Sequence, residues 1–133
     1  MYFADTMAYE VSAFDFDLDS GRVSRRRTFV RTGEEQGLPD GLAVDEAGFV
    51  WVAFWGGWCV RRYSPGGHLD RVVELPVAQV SSCAFGGEEL DELYITTAAY
   101  QLDAEDLAAQ PAAGSLFRTR PGVRGPAASL FGA

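Results

Sequence analysis

The chain repeats itself, and the repeat limits what it can fold into. Short runs rich in Val, Tyr, Phe, Trp and Thr recur between clusters of Gly, Pro, Asp and Ser, the pattern of strands joined by tight turns. Met1-Tyr2-Phe3-Ala4-Asp5, Val50-Trp51-Val52-Ala53-Phe54 and Leu93-Tyr94-Ile95-Thr96-Thr97 read as three copies of one strand. The strand after it runs over Val11 to Asp17, Trp58 to Ser64 and Leu116 to Arg120. An outer strand follows over Val23 to Val30 and Leu69 to Leu75. The strand that opens a unit is Gly41 to Asp45, then Ser82 to Gly86. The copies stand 49 residues apart from Tyr2 to Trp51 and 43 apart from Trp51 to Tyr94. Four short strands per ~40–50 residues is the period of a propeller blade.

The fold class is therefore all-β: a partial β-propeller of about two and a half to three four-stranded blades. Residues 1–33 read as an incomplete blade without its inner strand, 34–79 as a complete blade, and 80–133 as a blade carrying an insertion. The insertion, Ala98 to Pro111, holds one short helix near 103–110. Asp103 can cap it, Glu105 and Asp106 suit its N-terminal end, and Pro111 stops it. Propellers close with ~4–8 blades. Fewer leave apolar faces and strand edges open, so the chain is expected to be incomplete or to complete itself with another chain.

Charge and cysteine usage exclude several functions. The net charge is −8, which argues against nucleic acid, whose binders cluster Lys and Arg. Arg25-Arg26-Arg27 and Arg61-Arg62 lie among strand-like residues and read as solvated strand faces. No run approaches the ~20 apolar residues of a membrane helix. The N-terminus lacks the pattern of a secretory signal, so the default compartment is the cytoplasm. Cys59 and Cys83 stand 24 residues apart and read as two buried free thiols.

Most candidate chemistry yields to plain structural readings. Phe14 to Gly21 alternates apolar residues with Asp15, Asp17 and Asp19, but a calcium-binding helix–loop–helix needs Gly and Glu where Ser20 and Arg26 stand. A strand entering an Asp-Ser-Gly turn accounts for it. His68, the single His, follows the Pro65-Gly66-Gly67 turn and reads as a surface residue. Asp40, in Leu38-Pro39-Asp40-Gly41, directly precedes an inner strand, where a propeller points side chains into its central channel. A carboxylate there suits a hard divalent cation, although Pro-Asp-Gly is equally a turn.

Gly37 to Asp45 followed by Gly48 to Ala53 resembles a signature of the gluconolactonase, regucalcin and luciferin-regenerating-enzyme family. So do Val80 to Gly87, Leu93 to Ala98, Ala109 to Phe117 and the opening Tyr2-Phe3-Ala4-Asp5-Thr6. The resemblance implies a six-bladed propeller with one divalent cation in its channel, Ca²⁺ foremost and Zn²⁺, Mg²⁺ or Mn²⁺ as alternatives. It also implies hydrolysis of a sugar lactone, with the cation polarising the carbonyl and a carboxylate deprotonating water. In that family the Asp of Pro-Asp-Gly is a metal ligand and the proposed general base, and the role passes to Asp40. The other ligands and the substrate-contacting residues of the family lie upstream of the strands matched here. Asp5 resembles the Asp at the family's Asp-Ser/Thr strand end and is a candidate to support the metal from behind its ligands; an Asp bonding its own turn is the alternative. Trp55 is a candidate channel-mouth aromatic or a core aromatic. The family tends to carry a small residue where Trp58 stands.

The expected function is a metal-dependent sugar-lactone hydrolase, gluconolactonase-like and inactive as an isolated chain. The alternative is a non-catalytic propeller fragment that self-associates or completes a partner chain. The expected partners are a small sugar lactone and either a second copy or N-terminal blades, with neither nucleic acid nor membrane.

Overall fold

In the computed structural model, residues 1–127 are described. They form three antiparallel sheets in chain order. The first holds β1 (Tyr2–Asp5), β2 (Glu10–Phe16) and β3 (Val23–Arg31); the second holds β4 (Leu38–Val44), β5 (Val50–Trp55), β6 (Cys59–Tyr63) and β7 (Leu69–Glu74). The third holds β8 (Val80–Gly86), β9 (Glu92–Thr97) and β10 (Leu116–Thr119). Each sheet is a simple meander, so every neighbour in sequence is a neighbour in space. The expected extension of the last blade over 128–133 lies outside the described residues.

The sheets stack face to face as successive blades. In β5 every residue from Val50 to Phe54 is fully buried, as a strand covered on both faces must be. Its even and odd positions point opposite ways. Val50, Val52 and Phe54 pack with Val11, Val30, Cys59 and Tyr63 towards the first sheet. Trp51 and Ala53 pack with Val60, Val80, Cys83, Leu93 and Ile95 towards the third. The repeat in sequence is thus a repeat of blades, and the fold is a partial β-propeller with one short helix.

That helix, α1 (Ala104–Ala109), follows its sequence signals. Asp103 accepts hydrogen bonds from the backbone N–H of Glu105 and Asp106, and the helix ends at Gln110, just before Pro111. The Asp15–Asp19 run is likewise a strand entering a turn, with Asp17 Oδ1 accepting from the N–H groups of Asp19 and Ser20 at 3.0 Å. Cys59 and Cys83 are free and buried. Burial raises both thiols, Cys83 to about 12, which keeps them protonated and inert. The Trp55–Trp58 turn holds Trp58 at φ 57, a left-handed conformation that costs a residue with a Cβ about 1–2 kcal/mol.

One expectation is overturned. Arg62 is not on a solvated face; it is 6% exposed. Its Nε and Nη2 donate to Asp45 Oδ2 at 2.9 and 2.7 Å, and its Nη1 donates to Asp70 at 2.8 Å. The Trp51 indole donates to the same Asp45 oxygen at 3.0 Å, while Asp45 Oδ1 accepts from the N–H groups of Ala47 and Phe49. Phe49 also lies under the guanidinium, 3.7 Å from ring centroid to Cζ. Arg61, its neighbour on the opposite strand face, stacks on Phe54 at 4.3 Å. Burial alone would push the Asp45 carboxyl up, but the Trp51, Arg62 and Phe49 hydrogen bonds outweigh it and hold it below its usual range. A guanidinium takes this position because each of its three nitrogens meets a carboxylate, and an unpaired buried charge is very costly.

Asp45→Ala removes the acceptor at the centre of this network and leaves Arg62 buried with only Asp70. The expected loss is about 3 kcal/mol, the lower end for a broken buried pair, read as a lower urea midpoint with unchanged m-value.

Candidate functional site

Asp40 does not directly precede the inner strand, the placement from which it was expected to point into the channel; it lies within β4, at a bulge. Pro39 pairs with Phe54 and Leu42 with Val52, so Asp40 and Gly41 together face the single residue Ala53. An extra residue of this kind bends a strand and re-aims a side chain. The next inner strand carries the same irregularity: Val80 pairs with Thr97 and Ser82 with Thr96, leaving Ser81 over. Asp40 and Ser81 therefore occupy one repeat position in consecutive blades.

Close approach of the two inner strands fixes this geometry. A Cβ on Gly41 would lie 2.5 Å from Ser82 Cβ and 2.7 Å from its Cα, distances real side chains do not adopt. Only glycine lets β4 and β8 meet there.

Asp40 lines a cleft of about 720 Å³ together with Thr6, Met7, Leu38, Trp55, Gln79, Tyr100 and Gln101. Its carboxyl is partly buried. Burial raises it above its usual range, and the Gly41 backbone hydrogen bond offsets part of that. Asp40 takes part in none of the ion pairs among the described residues. A carboxylate raised by burial and left without a cation is suited to hold a proton or a metal.

The other candidates separate. Trp55 shares the cleft with Asp40. Asp5 is not among the cleft-lining residues; it ends β1, and its carboxylate lies 3.9 Å from Arg26. His68 is exposed beside the Gly66-Gly67 turn. Trp58, 45% exposed, lines a different depression with Arg61 and Glu74. Thr6, Gln79, Tyr100 and Gln101 escaped the sequence reading. A signal for one is present: Thr6 follows one copy of the repeated strand as Trp55 follows another, so both stand at the same end of their blades.

Among the described residues no three His, Cys, Asp or Glu side chains converge as a metal cage. Asp40 fits as one hard oxygen ligand, and Thr6 and Gln101 bring neutral oxygens to the same cleft. Calcium takes ~6–8 oxygens, more than these residues offer.

The profile of the SMP-30/Gluconolactonase/LRE-like region matches residues 1–99. Regucalcin of Danio rerio is 43% identical over 126 residues, covering 93% of this chain and 43% of that protein. A luciferin-regenerating enzyme superimposes with a TM-score of 0.84 at 36% identity, over 96% of this chain and 43% of the other. A calcium-binding protein, regucalcin from Agrobacterium tumefaciens, superimposes with a TM-score of 0.89 at 29% identity, over 94% and 43%. The chain thus spans about two-fifths of the length of the relatives it matches.

Gly41→Ala tests whether the strands need this approach. The added methyl should cost about 1–3 kcal/mol in overpacking, measured by urea denaturation, and should shift the Trp55 indole resonance as the cleft deforms.

Proposed function

Because the chain belongs to the SMP-30/gluconolactonase/LRE-like family, we propose that it supplies one wall and the proton-accepting carboxylate of a sugar-lactone hydrolase. The observation that carries this reading is Asp40: a partly buried carboxylate, raised by its surroundings and without an arginine partner, at the bulge of an inner strand. When bound, a divalent cation, calcium foremost, supplies Lewis-acid polarisation of the lactone carbonyl. Asp40 holds one coordination position and accepts the proton of the attacking water. Trp55 and Leu38 give the cleft apolar walls, and Thr6 and Gln101 give it hydrogen-bonding groups for hydroxyls. The remaining ligands come from outside this chain, so the isolated polypeptide should be inactive.

The test joins this chain to the N-terminal part of a regucalcin relative and follows hydrolysis of D-glucono-1,5-lactone. The fusion should turn over in calcium. Asp40→Ala should lower kcat by about 10²–10⁴, the usual contribution of a positioned general base. Wild-type turnover in that variant would sink the assignment.

The outer sheets favour a second reading, a non-catalytic chain that associates with a copy of itself. Met1, Phe3 and Phe16 are 50, 55 and 45% exposed on the first sheet, and Leu116 is 64% exposed on the third. Apolar side chains this exposed on blade faces are candidates for burial against another blade. Light scattering separates the readings: a defined dimer supports association, and a monomer at micromolar concentration counts against it.

A further inference from the structure

The cleft has one wall that belongs to neither inner strand, the start of the insertion after β9. Three contacts hold it in place. Gln79 reaches the Tyr100 peptide with both ends of its amide: Nε2 donates to Tyr100 O at 2.8 Å, and Oε1 accepts from Tyr100 N–H at 2.9 Å. The Gln79 carbonyl accepts from Ala98 N–H at 2.9 Å. Further along, the Gln110 side chain, in a residue 6% exposed, accepts from Ala78 N–H at 2.7 Å. The insertion is therefore fastened to residues 78–79 both before and after α1. Gln79 also bridges to Trp55, so one residue joins the two aromatic groups of the cleft.

Tyr100 is 64% exposed although its backbone is pinned. A large ring held at a cleft rim by its main chain loses little further freedom when a ligand arrives. Tyr100 and Trp55 offer aromatic surface; Thr6 and Gln101 offer neutral hydrogen-bonding groups. Asp40 is the one charged residue of the lining, and no Lys, Arg or His is among the described residues there. This chemistry fits an uncharged polyhydroxy ring, with apolar C–H faces and a hydroxylated edge, and disfavours a phosphorylated one.

We propose that Tyr100 is a specificity-determining residue of this cleft, its ring taking the apolar face of a neutral sugar ring, and that Gln79 is the positioning residue that presents it. The proposal rests on reading the cleft as a sugar-lactone site. It adds a determinant on the insertion and a preference for unphosphorylated sugars.

The test titrates the full chain with D-glucono-1,5-lactam, a mimic that does not hydrolyse, and follows ¹H–¹⁵N spectra, a method suited to millimolar affinity. The Trp55 indole and Tyr100 amide signals should shift, and saturation should pass from the aromatic protons to the ring protons of the sugar. Tyr100→Ala should weaken binding roughly three- to tenfold, the scale of an aromatic contact, and Tyr100→Phe should retain it. Gln79→Ala should weaken binding in the wild-type background but cost nothing further beside Tyr100→Ala, because Gln79 acts through that ring. δ-Valerolactam, which lacks the hydroxyls, and D-glucose 6-phosphate, a ring that carries a phosphate, should bind at least tenfold more weakly. Lactam shifts that persist at Trp55 with unchanged affinity in Tyr100→Ala would overturn the role of Tyr100 and leave the lactone reading standing. Equal affinity for either comparison ligand would overturn the specificity. Absence of lactam binding by the wild-type chain would overturn the role of Tyr100 in this cleft, while turnover by the fusion with the N-terminal part of a relative would leave the lactone reading standing.

Discussion

The closeness of β4 and β8 is the constraint on which the rest of the site depends. Two inner strands from neighbouring blades meet where Gly41 has no side chain and Ser82 has a small one. Their bulges occupy the same repeat position, so the strands bend together. Bending turns Asp40 into the cleft and brings the end of β5, with Trp55, beside the start of β8, with Gln79. A larger residue at Gly41 would push the two strands apart.

The opposite end of the same blade is held by different means. Asp45 follows β4 directly and collects the Trp51 indole, the Arg62 guanidinium and two backbone N–H groups around one carboxylate. Asp40 and Asp45 stand five residues apart on one strand and its exit, yet their surroundings push their carboxyls in opposite directions. Asp45 is saturated with donors and remains ionised, which makes it structural. Asp40 is partly desolvated and lacks a cation, which leaves it able to exchange a proton or accept a metal. The division of labour follows from hydrogen bonds, not from residue type.

These surroundings explain which features the sequence discloses. Strand order, blade period and the capped helix are local properties, set by alternation, turn residues and an Asp at the right offset, so they are legible in the chain itself. Asp40 is legible through family resemblance, since Pro-Asp-Gly alone describes a turn equally well. Its placement in a bulge is not, because a bulge is a relation between two strands and becomes visible only in the register of β4 against β5. Arg62 misleads for the same reason. Beside Arg61 it reads as one of a solvated pair, whereas strand alternation sends one guanidinium onto Phe54 and the other into the Asp45 network. Gln79 and Tyr100 carry no motif, since what joins them is a side-chain amide reading a peptide 21 residues away.

Two levels of rigidity thus meet at the cleft. The inner strands are fixed by packing that admits no larger residue, so the position of Asp40 is set by the fold. The start of the insertion is fixed by exposed hydrogen bonds from Gln79, each worth about 1 kcal/mol net and replaceable without disturbing a core. A blade fold can therefore change what the cleft recognises while leaving the carboxylate where it is. Function that varies belongs on such a segment, because a substitution there costs little stability. Chemistry that must not vary belongs on the strand whose neighbour allows only glycine.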